Sequence, residues 1–371
     1  MNNDSDQTKS RIYVCHTFYH VYVTCLKELN LPESERGGAT LVLSKMSNDF
    51  RDLCSRAKTS GLFEDVVEFD EKNFAEFPEL TKLKKDTGNI VTNMIRRMKF
   101  CRRYAALETP FVPVDFREYG DIYVFCDSDP IGYYLAENHI RYHAVEDGLD
   151  CIRYYDTARY DNRGHFDLKA RMAAMGLIFI QNGYSKYCID MEVNDISALQ
   201  FPGPKYIEKK REELAAGLDA EGRERLTELF ISNRTELVKQ LNMAKAVGKP
   251  VVLVLTEPLL PDFSDRKKLF VDLINENDTV NGVKAQVVIK PHPRDKYDYA
   301  SDPDFSECVI LDAFFPMEVL NFMDGLEFDR VVTVYTVPTS LHCAKEKVYL
   351  GDDFMDRYEA PEIHRQNEAI S

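Results

Sequence analysis

Three short segments place reactive side chains directly after an apolar, β-rich run. The first is Tyr142–Leu149, YHAVEDGL, where His143–Val145 read as a strand and Glu146, Asp147 and Gly148 follow at its end. Adjacent carboxylates repel, which raises one pKa and suits one of them to take a proton, and Gly148 permits a turn that other residues resist. The same Glu-Asp-Gly also reads as an ordinary turn, in which Asp-Gly is common. The second is Val287–Asp295, VVIKPHPRD. Pro291 and Pro293 restrict the backbone on both sides of His292, so its imidazole is presented in a fixed direction. A phosphate-binding or proton-donating ring needs that placement, and Lys290 and Arg294 add positive charge beside it. The third is Val331–His342, VVTVYTVPTSLH, a strand running into hydroxyls. Thr339 and Ser340 are predicted to cap a helix running through His342, where hydroxyls and free N–H groups make an anion site; the plainer reading is a cap alone. A further helix start is predicted at Phe315–Leu320, FPMEVL, with Pro316 in its first turn. Glu318 there either complements the helix dipole or accepts hydrogen bonds from ribose hydroxyls.

These segments need strands to carry them. Short β-rich runs separated by helical patterns recur at Arg11–Cys15, Ala39–Leu43, Val66–Phe69 and Ile122–Cys126, and again at Val251–Leu255, Ala285–Ile289, Val309–Leu311 and Arg330–Val334. Such alternation is the mark of βαβ units around parallel sheets. The predicted fold class is α/β, with two Rossmann-like domains facing a central cleft at the carboxyl ends of their strands. The expected division is a first domain over 1–205, a charged helical linker over 206–249, a second domain over 250–355 and a polar tail over 356–371.

Composition narrows the classes. With 47 Lys+Arg against 62 Asp+Glu, the net charge of −15 opposes binding to nucleic-acid phosphates. Nine cysteines with no CxxC pair and no zinc spacing read as reduced thiols. No apolar run approaches the roughly 18 residues that span a bilayer, and the opening MNNDSDQTKSR lacks a signal-peptide core; the expected location is the cytoplasm. Against this acidic background, Lys82, Lys84, Lys85, Arg96, Arg97, Lys99, Arg102 and Arg103 face only Asp86 within residues 82–103. That segment reads as a solvated helix face, or as a landing surface for an anionic lipid or acidic acceptor at the inner face of the plasma membrane. Asp127-Ser128-Asp129 has the letters of a metal-binding DxD, but its place between a strand and Pro130 reads as a turn or helix cap.

Glu-Asp-Gly early, then Lys-Pro-His-Pro, then the Thr-Ser segment, together resemble the bacterial sialyltransferases, most closely the lipooligosaccharide sialyltransferases of glycosyltransferase family 52. Ile12–His20, IYVCHTFYH, and Leu253–Leu260, LVLTEPLL, are similar to the first strands and loops of the two halves in that group. The resemblance implies a GT-B fold and inverting transfer of sialic acid from CMP-sialic acid to a galactose-terminated glycan, with no metal and no cofactor. It implies Asp147 as general base, with Glu146 its competitor. His292 would assist the departing phosphate with Lys290 and Pro293 beside it, Thr339 and Ser340 would bind the phosphate oxygens, and Glu318 would hold the ribose. Thr256 and Glu257 would line the nucleotide pocket. A homodimer is the working expectation for the oligomeric state. The rival readings are another CMP-donor transferase, using CMP-Kdo or CMP-glycerol, and a two-lobed sugar- or nucleotide-binding protein without catalysis.

Overall fold

The computed structural model describes residues 9–154 and 164–364. The first eight residues and the end of the expected polar tail, 365–371, lie outside them. The chain forms two compact units, Met1–Leu218 and Asp219–Ser371. The stretch 206–249, expected to be one connector, is therefore shared: helix Arg211–Ala216 belongs to the first unit, and helices Ala220–Phe230 and Arg234–Ala246 to the second.

The first unit holds a seven-stranded sheet of β1 (Lys9–Cys15), β2 (Ala39–Ser44), β3 (Asp65–Phe69), β4 (Tyr119–Phe125), β5 (Tyr142–Val145), β6 (Cys188–Val193) and β7 (Tyr206–Glu208). The order is β3-β2-β1-β4-β5-β6-β7, and every pairing is parallel. Strand order reverses between β1 and β4, the place where open α/β sheets leave a crevice for ligands. β2 and the end of β1 are buried on both faces, as expected of near-continuous apolar runs covered by helices. Helix Phe18–Leu29 packs against the sheet with ten of its twelve residues buried. It is anchored from beneath by a buried ion pair, Arg11 Nε to Glu28 Oε1 at 2.8 Å, and Tyr13 Oη donates to the same oxygen at 2.8 Å.

In the second unit the sheet comprises β8 (Val251–Leu255), β11 (Gln286–Lys290), β12 (Val309–Ile310), β13 (Phe328–Thr333) and β14 (Ala344–Tyr349), while β9 (Thr279–Val280) and β10 (Val283–Lys284) make a small hairpin. Its order, β12-β11-β8-β13-β14, is again parallel throughout and reverses between β8 and β13. The core under it is built from Val252, Val254, Leu269, Phe270, Ile289 and Val332 among others. One predicted element is absent. Thr339 and Ser340 do not open a helix: Pro338–Ser340 is a single 3₁₀ turn, and the chain goes directly into edge strand β14. The exposed side chains of that strand, AKEKVY, explain why its pattern did not read as a buried strand.

Candidate functional site

In the first unit, loops after β1, β3, β4 and β5 converge beyond the carboxyl ends of the strands. β5 ends at Val145, and Glu146 and Asp147 follow in the positions expected. Gly148 has φ +149°, a conformation that favours glycine. The two carboxylates differ sharply in exposure. Glu146 is 2% exposed, and its Oε1 accepts the Asn194 N–H at 3.0 Å. Burial pushes its pKa up to about 7, although Arg211 and that hydrogen bond oppose the shift. The Asp147 side chain is 34% exposed. Burial works against its charge, but the hydrogen bond from His20 leads the interactions that outweigh burial and hold the Asp147 pKa below the usual value. Asp147 is therefore the ionised, reachable carboxylate of the pair. It borders a cavity of about 250 Å³ with Glu146, Cys151, Ile152, Gln181 and Asn182.

His20 was not singled out as a site residue by its sequence. It lies in the first turn of the helix that follows β1, where the Thr17 hydroxyl caps the helix by accepting the His20 N–H at 3.2 Å. The ring is fully buried and stacks on Phe125, with centroids 4.5 Å apart and planes 15° from parallel. Its Nδ1 accepts the His16 N–H at 3.0 Å, and its Nε2 meets Asp147 Oδ1. Because Nδ1 is an acceptor, the proton of the neutral ring is on Nε2 and is donated to the carboxylate. Burial lowers the His20 pKa, with Asp147 opposing, so the neutral form is favoured.

Behind this pair lies a second buried group. His16 Nε2 sits 2.7 Å from Glu71 Oε2 and 3.4 Å from Asp129 Oδ2. Burial opposes charge on His16, but the two carboxylates outweigh it and push its pKa up to about 9. Glu71 also accepts from the Ser44 hydroxyl at 2.6 Å and the Ile131 N–H at 2.8 Å, tying together the ends of β2 and β3 and the helix Pro130–Glu137. The Asp127-Ser128-Asp129 segment behaves as read from sequence, with Asp129 at the N-cap position of that helix. Asp127 accepts the Asn182 N–H at 2.7 Å and the Tyr142 hydroxyl at 3.0 Å. Gly132 lets the helix pass close to the backbone of this segment, since a Cβ there would lie 1.9 Å from the Asp127 carbonyl oxygen.

Ligand atoms of His20, Cys126 and Asp147 lie within 4.8 Å of one another, close enough for a metal ion. The tautomer argues against that use. A metal on Nε2 would move the ring proton to Nδ1, directly against the His16 N–H.

In the second unit the histidine loop follows β11 as expected. His292 Nδ1 accepts the Arg294 N–H at 3.0 Å, so here too the neutral ring carries its proton on Nε2. Burial, then the charges of Arg294 and Lys290, lower its pKa to about 4. Pro293 is half-buried beside it. The loop is anchored by Asp295, another residue not singled out by sequence. Its buried carboxylate accepts from Arg266 Nη1 at 2.7 Å, Tyr299 Oη at 2.7 Å and Thr256 Oγ1 at 3.0 Å, while its N–H donates to the His292 carbonyl at 2.9 Å.

Three residues expected to touch a nucleotide are instead turned inward. Lys290 is 4% exposed, donates to the carbonyls of Pro291 and Ala313, each at 2.9 Å, and lies 4.4 Å from the Phe315 ring centroid. Burial lowers its pKa to about 7. Thr256, 2% exposed, braces Asp295. Glu257, 7% exposed, accepts the Tyr335 N–H at 3.0 Å and the Thr336 hydroxyl, joining the ends of β8 and β13. Glu318 and Ser340 lie side by side, with the Ser340 hydroxyl donating to Glu318 Oε1 at 3.1 Å. Glu318 lies in a 3₁₀ helix, Met317–Phe322, and burial raises its pKa. The exposed Thr339 lies next to Ser340 in the 3₁₀ turn, without the helix that was to form an anion site.

The sequence profile of glycosyltransferase family 52 matches residues 100–347, two thirds of the chain and parts of both units. A protein of Haemophilus influenzae described only as uncharacterised is 32% identical over 106 residues, which make up 28% of this chain and 31% of that protein. Among solved structures, the α/β-galactoside α-2,3-sialyltransferase of Photobacterium phosphoreum aligns with a TM-score of 0.53 at 12% identity, covering 92% of this chain and 90% of that one. A sialyltransferase from Photobacterium damsela aligns at 0.51 and 12%, covering 92% and 74%. At these identities the likeness is one of fold, the GT-B class.

Proposed function

The chain belongs to glycosyltransferase family 52, and from that premise we propose that it is an inverting, metal-independent sialyltransferase, moving sialic acid from CMP-sialic acid to a galactoside hydroxyl of a surface glycan of lipooligosaccharide or capsule type. The observation that carries this proposal is the ionised, partly exposed Asp147 at the end of β5, with one oxygen held by His20. In the proposed reaction the bond from the anomeric carbon to the phosphate oxygen breaks while the acceptor oxygen attacks from the opposite side. The acceptor proton passes to Asp147. Positive charge develops on the sugar ring and negative charge on the phosphate, so a fixed donor at the phosphate lowers the barrier. His292 supplies that donor through Nε2–H. Ser340 and Thr339 take the phosphate oxygens, and Glu318 takes the ribose hydroxyls.

A single nucleoside monophosphate leaving group carries less charge than a diphosphate, which fits neutralisation by a histidine and hydroxyls in place of a divalent ion. Calorimetric titration with CMP, CDP, UDP and GDP in EDTA tests the donor. Tight binding of CMP alone is expected; a preference for UDP or GDP would overturn the cytidine monophosphate assignment.

We also propose that the enzyme works at the cytoplasmic face of a membrane through the helix Ile90–Glu108. Its exposed ridge carries Val91 and Ile95, 64% and 49% exposed, and then the exposed cations Lys99, Arg102 and Arg103. An apolar start followed by bases suits an anionic lipid surface. Arg96 and Arg97 serve a different purpose, since Arg96 donates to the Lys82 and Lys85 carbonyls at 2.9 Å each and Arg97 to the Phe179 carbonyl at 3.1 Å. No described helix is long and apolar enough to cross a membrane. Replacing Lys99, Arg102 and Arg103 by Gln is expected to weaken sedimentation with anionic vesicles by about fivefold per charge and to leave turnover of a soluble galactoside unchanged. An equal loss with both acceptor forms would contradict the surface role.

A further inference from the structure

Resting on the assignment of Asp147 as base, we infer that His20 is a positioning residue for it: through Nε2–H it fixes one carboxylate oxygen and leaves the other turned toward the acceptor hydroxyl. Both ring nitrogens are engaged in one sense only. The His16 N–H occupies Nδ1 at 3.0 Å, Asp147 Oδ1 takes the proton on Nε2, and stacking on Phe125 fixes the ring plane. A fully buried imidazole is costly unless both nitrogens are satisfied, and here the second partner is a side chain that stays one-third exposed. The remaining oxygen, Oδ2, lies 3.7 Å from the exposed Cys151 thiol, a weak donor that an acceptor hydroxyl can displace.

The arrangement inverts the usual triad. There a carboxylate orients a histidine base; here a histidine locked as a neutral donor orients a carboxylate base. Protonating His20 would require breaking its bond to the His16 amide, so the ring holds the proton rather than relaying it. The ionisable groups facing Asp147 are His20 and His16 from the segment after β1, Cys126 and Asp129 from the loop after β4, its neighbour Glu146, and Cys151 from the following turn. Burial raises the Asp147 pKa, and the bond from His20 leads the groups that lower it. Catalysis by an ionised base is present above its pKa and lost as pH falls through it, so removing His20 moves the acid limb of activity to higher pH.

The test compares His20→Ala and His20→Gln, each alone and with Asp147→Asn, using CMP-sialic acid and a soluble galactoside. His20→Ala is expected to lower kcat by about 100-fold, the scale of a displaced catalytic group, with donor KM within about twofold and the acid limb of kcat/KM shifted upward. Gln can present an amide N–H near the place of Nε2, so His20→Gln is expected to recover most of the rate. In the Asp147→Asn background, His20→Ala should have no further effect. An unchanged limb in His20→Ala, or an undiminished effect in that background, would overturn the positioning role. If Asp147→Asn turns over like the parent, the base assignment itself fails, and the inference with it. Should both His20 variants fail to fold, ¹⁵N NMR of the parent's histidine rings decides: a neutral His20 protonated on Nε2 supports the role, and a charged or Nδ1-protonated ring contradicts it.

Discussion

Asp147→Asn is expected to lower turnover by roughly 100- to 10,000-fold, the range over which general base catalysis contributes, while CMP binds with parental affinity. The substitution removes the only charge on that side chain and keeps its shape. Asn retains an acceptor for the His20 proton, so the loss reports the missing base rather than a disturbed fold. CMP affinity is the internal control, because the groups proposed to hold the nucleotide all belong to the second unit. Glu146→Gln makes the informative contrast. Glu146 is buried, with a pKa near 7 and one oxygen on the Asn194 amide, which Gln can still accept. Its replacement is expected to cost less than about tenfold. Reversed sizes of the two effects, measured as kcat under saturating donor, would transfer the role to Glu146.

His292→Ala is the second large effect, expected at about 100-fold or more in kcat, the scale of losing one preorganised donor to developing charge. Two features of the loop point to a donor that needs no reorientation. The Arg294 N–H fixes the tautomer, and the Asp295 carboxylate ties the loop to Arg266, Thr256 and Tyr299. Since burial and neighbouring cations lower the His292 pKa to about 4, its ring stays neutral across the physiological range. The pH profile of kcat/KM in the parent should therefore show no limb near pH 6.5 arising from this residue, and His292→Ala should change the height of the profile without moving a limb there. A limb near pH 6.5 that disappears in the variant would contradict a neutral donor and favour a charged imidazolium.

The strands that position the site were legible because each was a short apolar run buried on a sheet. Arg11–Cys15, Ala39–Leu43, Ile122–Cys126 and Val251–Leu255 all fall within or at the ends of observed strands. Five strands escaped: the two-residue β9 and β10 are too short to show a pattern, and β6, β7 and β14 carry charges, namely Asp190 and Glu192 in CIDMEV, Glu208 in YIE, and Lys345, Glu346 and Lys347 in AKEKVY. Most of these side chains follow solvent on edge or partly covered strands, while the buried Glu192 is held by Lys27, and in both cases the apolar signal disappears.

The site was legible in part for a related reason. Glu146, Asp147 and His292 stand at strand ends next to glycine or proline, where local chemistry shows. His20, His16 and Asp295 act through partners far along the chain, His20 with Asp147 and His16 with Glu71, and no local pattern marks such pairs. The IYVCHTFYH segment contained two of them, and the usable signal was two histidines four residues apart at the junction of a buried strand and helix. Lys290, Thr256 and Glu257 were misplaced for the converse reason. Their types suit a nucleotide, but burial turns each toward backbone or loop partners, and sequence alone does not distinguish a polar side chain that faces a ligand from one that braces the loop beside it.

The central claim is sialyl transfer, and the most direct measurement is CMP release from CMP-sialic acid in EDTA, with and without a soluble galactoside, together with the mass and anomeric configuration of the product. CMP release that depends on the galactoside, and an inverted, sialylated product, are expected. Release that needs a divalent ion, a product with retained configuration, or no turnover of CMP-sialic acid under any acceptor would contradict the claim.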